Sequence, residues 1–191
     1  MDEKYSKQDE KKLLKLARQS IEEEFSSKKI DNLEEDKFNE KKGVFVTLTK
    51  NNDLRGCIGF VYPLMKIKEA VIKAAKLSAF SDSRFLPLEE KELNDIKIEI
   101  SVLDIPKEIQ SSPKNLEIGK HGLICEYKGY SGLLLPQVAI EHNMNSKEFL
   151  ETVCEKAGLS KNTWKEKDFK LYKFSCQIFS EKHNTVKQKS L

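Results

Sequence analysis

Residues 54–59, Leu-Arg-Gly-Cys-Ile-Gly, place an arginine and a cysteine two positions apart. On a strand, residues two apart share a face, with Cα atoms about 6.6 Å apart, so the Arg55 guanidinium can reach the Cys57 sulfur. A neighbouring cation lowers the pKa of a thiol and increases the nucleophilic thiolate. The spacing therefore predicts thiol chemistry, with Cys57 as the nucleophile and Arg55 as its activator or as the binder of an anionic substrate.

The use of arginine in this chain draws further attention to Arg55. Lysine and arginine together number 34, but the arginines are only Arg18, Arg55 and Arg84. A planar guanidinium binds in ways that a lysine cannot reproduce. Gly56 and Gly59 weaken a strand unless a ligand or another backbone segment approaches closely, and we include both in the predicted ligand-binding set. The alternative is a strand bend in a tight core, with Cys57 as packing and Arg55 in a structural ion pair.

Two further residues are candidates for acid–base chemistry. His121 lies between Gly119 and Gly122 at the entrance to a predicted strand, where it can serve as the general base that takes a proton from Cys57. A structural histidine that bonds a loop is the alternative. Glu99 lies in mid-strand on the face opposite a row of isoleucines. It is a catalytic acid if that face lines a cleft, and an ordinary surface residue if the face is solvated.

Asp82 and Arg84 flank a serine in a short segment that follows a predicted helix. Their opposite charges predict a pair that fixes the loop, and both belong to the predicted ligand-binding set with Arg55. We predict no metal site, because His121 and Cys125 are about 13 Å apart on a strand, too far to share one ion. We predict no cofactor either, since the chain carries no glycine-rich phosphate loop or dinucleotide fingerprint.

Composition limits the class of protein. The net charge is +3, with 38% hydrophobic and 34% charged residues, and lysine alternates with glutamate along the chain. This pattern argues against strong non-specific binding of nucleic acid, which needs a clustered basic face. The chain has no run of 18 apolar residues and begins with a charged segment rather than a signal peptide, so we expect a cytoplasmic protein without a membrane span. Four scattered cysteines do not predict a disulfide framework.

Hydrophobic periodicity predicts a mixture of helices and hairpins. Ser6 is the predicted N-cap of the first helix, with Asp9 completing a capping box, and Ser146 is the predicted cap of the last. Helices are predicted to Phe25 and over 67–80 and 147–157, and strands over 44–49, 54–61, 96–103, 122–127, 133–135 and 169–179. Because the predicted strands and helices do not alternate as βαβ units, the predicted fold class is α+β, with a mostly antiparallel sheet and flanking helices. Residues 1–180 form one domain, and 181–191 are a polar tail that we expect to be disordered.

Several blocks, read in order, resemble the AMMECR-type domain family, which is named for the Alport syndrome, midface hypoplasia and elliptocytosis chromosomal region. Residues 54–59 are similar to the family signature. Further similar blocks are 79–88, 99–103, 119–123, 132–139, 149–150, 154–159 and Trp164. The resemblance covers about residues 10–181. Residues 141–145, Glu-His-Asn-Met-Asn, depart from the family's aromatic-rich stretch, which puts a ligand contact from that stretch in doubt.

The resemblance implies a compact α+β protein of two unequal lobes with a cleft between them, in an intracellular archaeal or bacterial setting. It implies no particular reaction. In some bacteria, relatives occur together with a radical-SAM protein and a dioxygenase-like partner. The resemblance therefore associates the family with a modification pathway but implies no mechanism. Two functions lead: a thiol-dependent enzyme that uses Cys57, His121 and Glu99, and a non-catalytic binding module for a small anionic ligand, a partner protein or RNA. A scaffold whose signature only preserves the fold is a third possibility.

Overall fold

The computed structural model describes residues 5–26 and 29–182. Over these residues the chain forms four α-helices and two antiparallel four-stranded sheets, which confirms the predicted α+β class. The helices are α1 (Lys7–Glu22), α2 (Ile67–Phe80), α3 (Pro136–Glu141) and α4 (Ser146–Lys156). The strands are β1 (Gly43–Lys50), β2 (Asp53–Phe60), β3 (Ile96–Leu103), β4 (Lys107–Ile109), β5 (Gly122–Tyr127), β6 (Tyr130–Leu134), β7 (Lys170–Phe174) and β8 (Cys176–Ser180).

The chain divides into two compact units. The first unit comprises the described residues up to Val102 and those from Gln177 onward, and its sheet has the strand order β2-β1-β3-β8. The isoleucines of β3 alternate with polar residues and enter the core beneath α1 and α2, as the sequence predicts. One face of this sheet is therefore filled by the core, and the other carries polar side chains.

Helix α1 begins as the sequence predicts. The Ser6 side chain accepts the N–H of Asp9, and the Asp9 carboxylate accepts the N–H of Ser6. Such a reciprocal pair satisfies two of the N–H groups that a helix start leaves free. The helix ends at Glu22, a little before the predicted Phe25, and Leu13, Ala17 and Ile21 on its apolar face are buried.

The second unit runs from Leu103 to Cys176, and its sheet has the strand order β4-β7-β5-β6. The predicted hairpin forms from β5 and β6, which are antiparallel and joined by a tight turn at Lys128 and Gly129. Helix α4 packs on this sheet and buries Phe149 and Leu150 in the core of the unit. The N-cap of α4 is Asn145 rather than the predicted Ser146, because its side chain accepts two N–H groups of the first turn.

The prediction of a single strand over 169–179 was wrong. The structure breaks it at Ser175 into β7, which belongs to the second sheet, and β8, which belongs to the first. The short elements β4 and α3 were not predicted. No helix in the described part of the chain is long and apolar enough to cross a membrane. The predicted cleft between two lobes stays a prediction. The disordered tail predicted over 181–191 was wrong at Glu181, which exchanges two hydrogen bonds with the backbone of Ile98; the rest of the tail, beyond Lys182, lies outside the described residues.

Candidate functional site

The signature segment forms β2, which is an edge strand of the first sheet and pairs with β1. Cys57 stands opposite Thr47, while a bulge between Leu48 and Thr49 interrupts the pairing close to Arg55. A bulge increases local twist and redirects the side chains beside it. The prediction that the Arg55 guanidinium reaches the Cys57 sulfur was wrong, because Arg55 bonds Glu92 whereas the sulfur accepts a hydrogen bond from Thr47.

Arg55 is held in an ion pair with Glu92, a residue of a short 3-10 turn. Its Nε and Nη2 atoms donate to the two carboxylate oxygens of Glu92 at 3.1 and 2.9 Å. Its Nη atoms also donate to the carbonyl oxygens of Leu86 and Pro87 at 3.0 and 3.4 Å. The side chain is only 15% exposed. This geometry corresponds to the structural ion pair that was the alternative reading of Arg55, and it fixes the segment that follows Asp82.

The same ion pair sets the charge state of Glu92. The Arg55 guanidinium lowers the pKa of this carboxyl to about 2, against the opposing effect of burial, with Lys50 contributing a further hydrogen bond. Glu92 is therefore ionised throughout the neutral range. Sequence reasoning missed this residue, since a glutamate 37 positions from Arg55 carries no local signal of the contact.

Asp82 and Arg84 lie at the free edge of β2. An Asp82 carboxylate oxygen accepts the backbone N–H of Cys57 at 2.8 Å, and the Arg84 Nη2 donates to the Cys57 carbonyl at 3.3 Å. The two side chains thus supply the acceptor and the donor that a neighbouring strand would supply. They cover backbone groups that would otherwise be exposed on an edge strand.

The Asp82–Arg84 pair is itself tightly bonded. Arg84 donates to the carboxylate through Nε at 2.9 Å and Nη2 at 2.6 Å, and the backbone N–H of Arg84 adds a third contact at 3.2 Å. The guanidinium holds the pKa of Asp82 far below its usual value, although burial opposes it. Asp82 is buried, whereas the Arg84 side chain is 49% exposed and lies over the Phe85 ring at 5.4 Å. The predicted loop-fixing pair is present, and it leaves a cation at the surface.

Cys57 is a half-buried thiol on the polar face of the sheet. Burial raises its pKa above the ordinary 9.0, and the charges of Asp82 and Glu99 act in the same direction. A hydrogen bond from Thr47 Oγ1 to the sulfur at 3.3 Å and the charge of Arg84 oppose this rise without cancelling it. The sulfur is therefore protonated at neutral pH, and the cation that influences it is Arg84.

Glu99 lies on β3, on the polar face that also carries Cys57 and Thr47. It is half-buried, and its charge influences the Cys57 thiol. The structure thus brings Cys57, Glu99, Asp82 and Arg84 together in the first unit. Whether Glu99 acts as a catalytic acid stays a prediction.

His121 belongs to the second unit. Its Nδ1 accepts the backbone N–H of Glu117 at 3.0 Å, which leaves the proton of the neutral ring on Nε2. Burial lowers the pKa of this histidine, and the charges of Lys173 and Lys120 lower it further. A neutral ring bonded to its own loop is what the structural reading of His121 describes. Its predicted role as the base for Cys57 stays a prediction.

The room left by Gly56 and Gly59 is filled by protein atoms. A Cβ atom on Gly56 would meet the carbonyl of Ser78 in α2, and one on Gly59 would meet the Phe45 ring and the Val44 carbonyl, all well within 3.0 Å. Ser78 was not singled out from the sequence, although a serine on the buried face of an alanine-rich helix is a signal that could have identified it. The room at these glycines is taken by close packing of protein atoms, and ligand contacts at Gly56 and Gly59 stay a prediction.

Cys125 and Cys154 are packed in the core of the second unit. Among residues 5–26 and 29–182, no three or more ligand-type side chains are grouped closely enough to hold an ion. Cys125 is buried and donates to the carbonyl of Val153 at 3.4 Å. Burial raises the pKa of Cys154 to about 11. Both are core residues, as expected for small apolar side chains.

Comparison with known proteins agrees with the resemblance seen in the sequence. Protein TV1384 of Thermoplasma volcanium is 43% identical over 177 residues, which cover 89% of this chain and 88% of that protein. Protein PH0010 of Pyrococcus horikoshii is 42% identical over an alignment 193 residues long, which covers 94% of this chain and 94% of that protein. The crystal structure of uncharacterized protein PH0010 superposes with a TM-score of 0.84 and covers 90% of both chains. A sequence model of AMMECR1 matches residues 14–179, and this chain therefore belongs to the AMMECR1 family.

Proposed function

We propose that this chain is a non-catalytic binding protein that takes a small anionic group, a carboxylate or a phosphate, at Arg84 beside Cys57. The observation that carries the proposal is the state of the Arg84 side chain. It is 49% exposed although two of its nitrogens are bonded to the buried Asp82. A cation that is already fixed loses little conformational entropy when a ligand binds.

The bonding pattern of Arg84 leaves room for a ligand. Asp82 and the Cys57 carbonyl account for the hydrogen bonds of Nε and Nη2, and Nη1 has no hydrogen-bond partner among the described residues. A guanidinium presents five N–H donors in one plane, a geometry that suits carboxylate and phosphate oxygens. The ligand therefore approaches the Nη1 edge, while Phe85 supports one face of the group.

Cys57 contributes the wall of this site rather than its reactive atom. Because its pKa is raised, the thiol is neutral at physiological pH and does not repel an anion. The second candidate function is the thiol-dependent enzyme, with Cys57 as nucleophile, His121 as base and Glu99 as the orienting acid. The observation in its favour is the Thr47 hydroxyl, which donates to the sulfur and stabilises a thiolate.

A titration of the full chain with inorganic phosphate and, separately, with acetate tests the proposal. The signals followed are the backbone amides of Cys57 and Arg84, which both donate to Asp82. We expect saturable shifts with at least one anion, and the preferred anion identifies the ligand class. In Arg84→Lys, which retains a charge for Asp82 but not the planar fork, we expect the affinity to fall at least tenfold.

The matched control is Lys91→Ala, which removes an exposed cation from the same unit. We expect the wild-type affinity in this variant. Equal affinities in Arg84→Lys and the wild type, or equal losses in Arg84→Lys and Lys91→Ala, would show that Arg84 is not the anchor. Turnover of an ester or thioester substrate that disappears in Cys57→Ser would instead establish the enzyme.

A further inference from the structure

The Arg84 site lies beside an open stretch of the outer edge of β2. The backbone groups of Cys57 face away from β1, because the N–H donates to Asp82 and the carbonyl accepts from Arg84. The pairing with β1 continues in regular register from Cys57 to Phe60. Hydrogen-bonding directions alternate from residue to residue along an antiparallel strand. The N–H and the carbonyl of Gly59 therefore face outward, as those of Cys57 do.

Ser78 fixes the direction of the residue between Cys57 and Gly59. Its hydroxyl accepts the Ile58 N–H and donates to the Val46 carbonyl, both at 2.8 Å. Ile58 therefore faces β1, and Gly59 faces outward. Neither the N–H nor the carbonyl of Gly59 has a hydrogen-bond partner in the part of the chain that the structure describes. Gly59 is only half-buried, so a ligand can reach these two groups.

The Asp82–Arg84 pair limits the length of any strand that is added to this edge. It already occupies the backbone groups of Cys57, so a strand that pairs with Gly59 must end at Arg84. At that point the guanidinium is 49% exposed, and its Nη1 is without a hydrogen-bond partner among residues 5–26 and 29–182. A polypeptide that ends there carries a carboxylate on its last residue, which is the group that a guanidinium binds best.

We infer, on the basis of the anion site proposed at Arg84, that its ligand is the C-terminal carboxylate of a polypeptide whose penultimate residue pairs with Gly59. Two such opposed residues exchange both hydrogen bonds in an antiparallel pair. The carboxylate, one residue further along at about 3.3 Å per residue, then lies between Gly59 and Cys57 and reaches the guanidinium. Strand addition of this kind obtains its affinity from main-chain hydrogen bonds.

This pairing distinguishes a C-terminus from other ligands. Acetate and inorganic phosphate offer oxygen atoms to Arg84 but no N–H to the Gly59 carbonyl. An internal peptide segment offers the N–H but no carboxylate. Only a chain end supplies a carboxylate and, one residue before it, a backbone donor and acceptor.

A titration of the full chain with acetyl-Ala-Ala-Ala tests the inference, because alanine adds little besides the main chain. The probe is used as the free acid, as the C-terminal amide, and as the free acid with the penultimate nitrogen methylated. The signals followed are the backbone amides of Cys57, Gly59 and Arg84. We expect the free acid to bind at least tenfold more tightly than acetate and than either modified peptide. The Gly59 amide should shift with the free acid and not with acetate.

A pair of variants assigns the carboxylate to Arg84. In Arg84→Gln the cation is absent, so we expect the free acid and the amide to bind with affinities within twofold of each other. The matched control is Lys91→Gln, which removes an exposed cation of the same unit. We expect this variant to retain the preference for the free acid.

The possible failures separate the ligand class from the anion site itself. Saturable binding of acetate at Arg84, with no tighter binding of the peptide acid, would overturn the C-terminal ligand and leave the anion site standing. Equal affinities for acid and amide would assign binding to strand addition without a chain end, and would also overturn it. The absence of saturable shifts with acetate, phosphate and the peptide acid up to about 10 mM would overturn both.

Discussion

The carbonyl oxygen of Ser78 in α2 lies against Gly56 of β2 so closely that a Cβ atom on Gly56 would come well within 3.0 Å of it. The hydroxyl of the same serine donates to the Val46 carbonyl and accepts the Ile58 N–H, both at 2.8 Å. Helix α2 is thereby fixed to β1 and β2 at its last turn. Because the chain then leaves the helix directly, this contact sets the position of Asp82 at the edge of β2.

Replacing Gly56 with alanine tests this close approach. The added methyl group would meet a backbone carbonyl, which cannot rotate away, so the helix and the strand must separate. We expect a loss of about 3 kcal/mol in the free energy of unfolding, measured by urea denaturation. The control is Gly129→Ala, where no heavy atom lies within 4 Å of the new Cβ and only the positive φ of +85° adds a cost, about 1 kcal/mol. Equal losses would contradict the steric account.

Ser78→Ala removes the hydroxyl bridge, and the gain in helix propensity that alanine brings is shared by the control below. The buried Val46 carbonyl and the half-buried Ile58 N–H lose this partner, and we expect a loss of about 2 kcal/mol. Ser20→Ala is the matched control, because Ser20 is equally buried but bonds only the Ala17 carbonyl within its own helix. Denaturation curves in which both variants lose the same stability would show that the bridge contributes nothing.

We expect substitution of Arg55 to lower stability but not anion affinity, because anion binding is proposed at Arg84. Arg55→Ala leaves the buried carboxylate of Glu92 without its main partner, which costs about 3 kcal/mol, while anion affinity at Arg84 stays within twofold of the wild type. Lys161→Ala, which removes an exposed pair with Glu155, should cost less than about 1 kcal/mol. Urea denaturation and the phosphate titration measure the two effects. A large loss of anion affinity in Arg55→Ala would transfer the binding role to that residue.

Stability should depend on pH through Glu92. The pKa of this carboxyl in the fold is about 2, below its ordinary 4.5. Folding therefore favours the ionised form, so the contribution is fully present above about pH 4.5 and is lost as the pH falls toward 2. We expect the free energy of unfolding to decline over this window in the wild type and less steeply in Glu92→Gln. Glu90→Gln, at an exposed neighbour, is the control and should keep the wild-type slope.

The sequence predicts those parts of the fold that local patterns determine. The alternation of isoleucine and polar residues in β3 follows directly from one buried face. Asp82 and Arg84 are separated by a single residue, and this short spacing suffices for their ion pair. The break between β7 and β8 at Ser175 was not predictable, because the residues on both sides of it are strand residues and only their pairing partners differ. The contact of Arg55 with Glu92 depends on the path by which the chain brings residues 37 positions apart together, and no rule of sequence spacing predicts it.

The surroundings of Cys57 also combine a contact that the sequence predicts with others that depend on the folded chain. Thr47 lies opposite Cys57 because of the register of the β1–β2 hairpin. That register includes a bulge, which the sequence of the turn does not predict. The expected lowering of the thiol pKa by Arg55 rested on strand spacing alone. Burial is a property of the folded unit, and it outweighs the nearby cation.

Alkylation of the cysteines as a function of pH distinguishes the two candidate functions. Because burial raises the pKa of Cys57 above 9.0, we expect slow labelling at pH 7 with a midpoint above pH 9, read site by site by mass spectrometry. Cys125 and Cys154 are fully buried and should label only on unfolding. Saturating phosphate should slow the labelling of Cys57 if an anion binds beside it.

Thr47→Val makes this measurement specific to the site. The variant removes the hydroxyl that donates to the Cys57 sulfur at 3.3 Å, so the thiolate loses a stabilising hydrogen bond and the labelling midpoint should move to still higher pH. Thr49→Val, two residues further along β1 and opposite Leu54 rather than Cys57, should leave the midpoint unchanged. A wild-type midpoint well below pH 8 that shifts upward in Thr47→Val would reveal an activated thiolate and favour the enzyme. A midpoint above pH 9, with phosphate protection that is lost in Arg84→Lys, would support the binding protein.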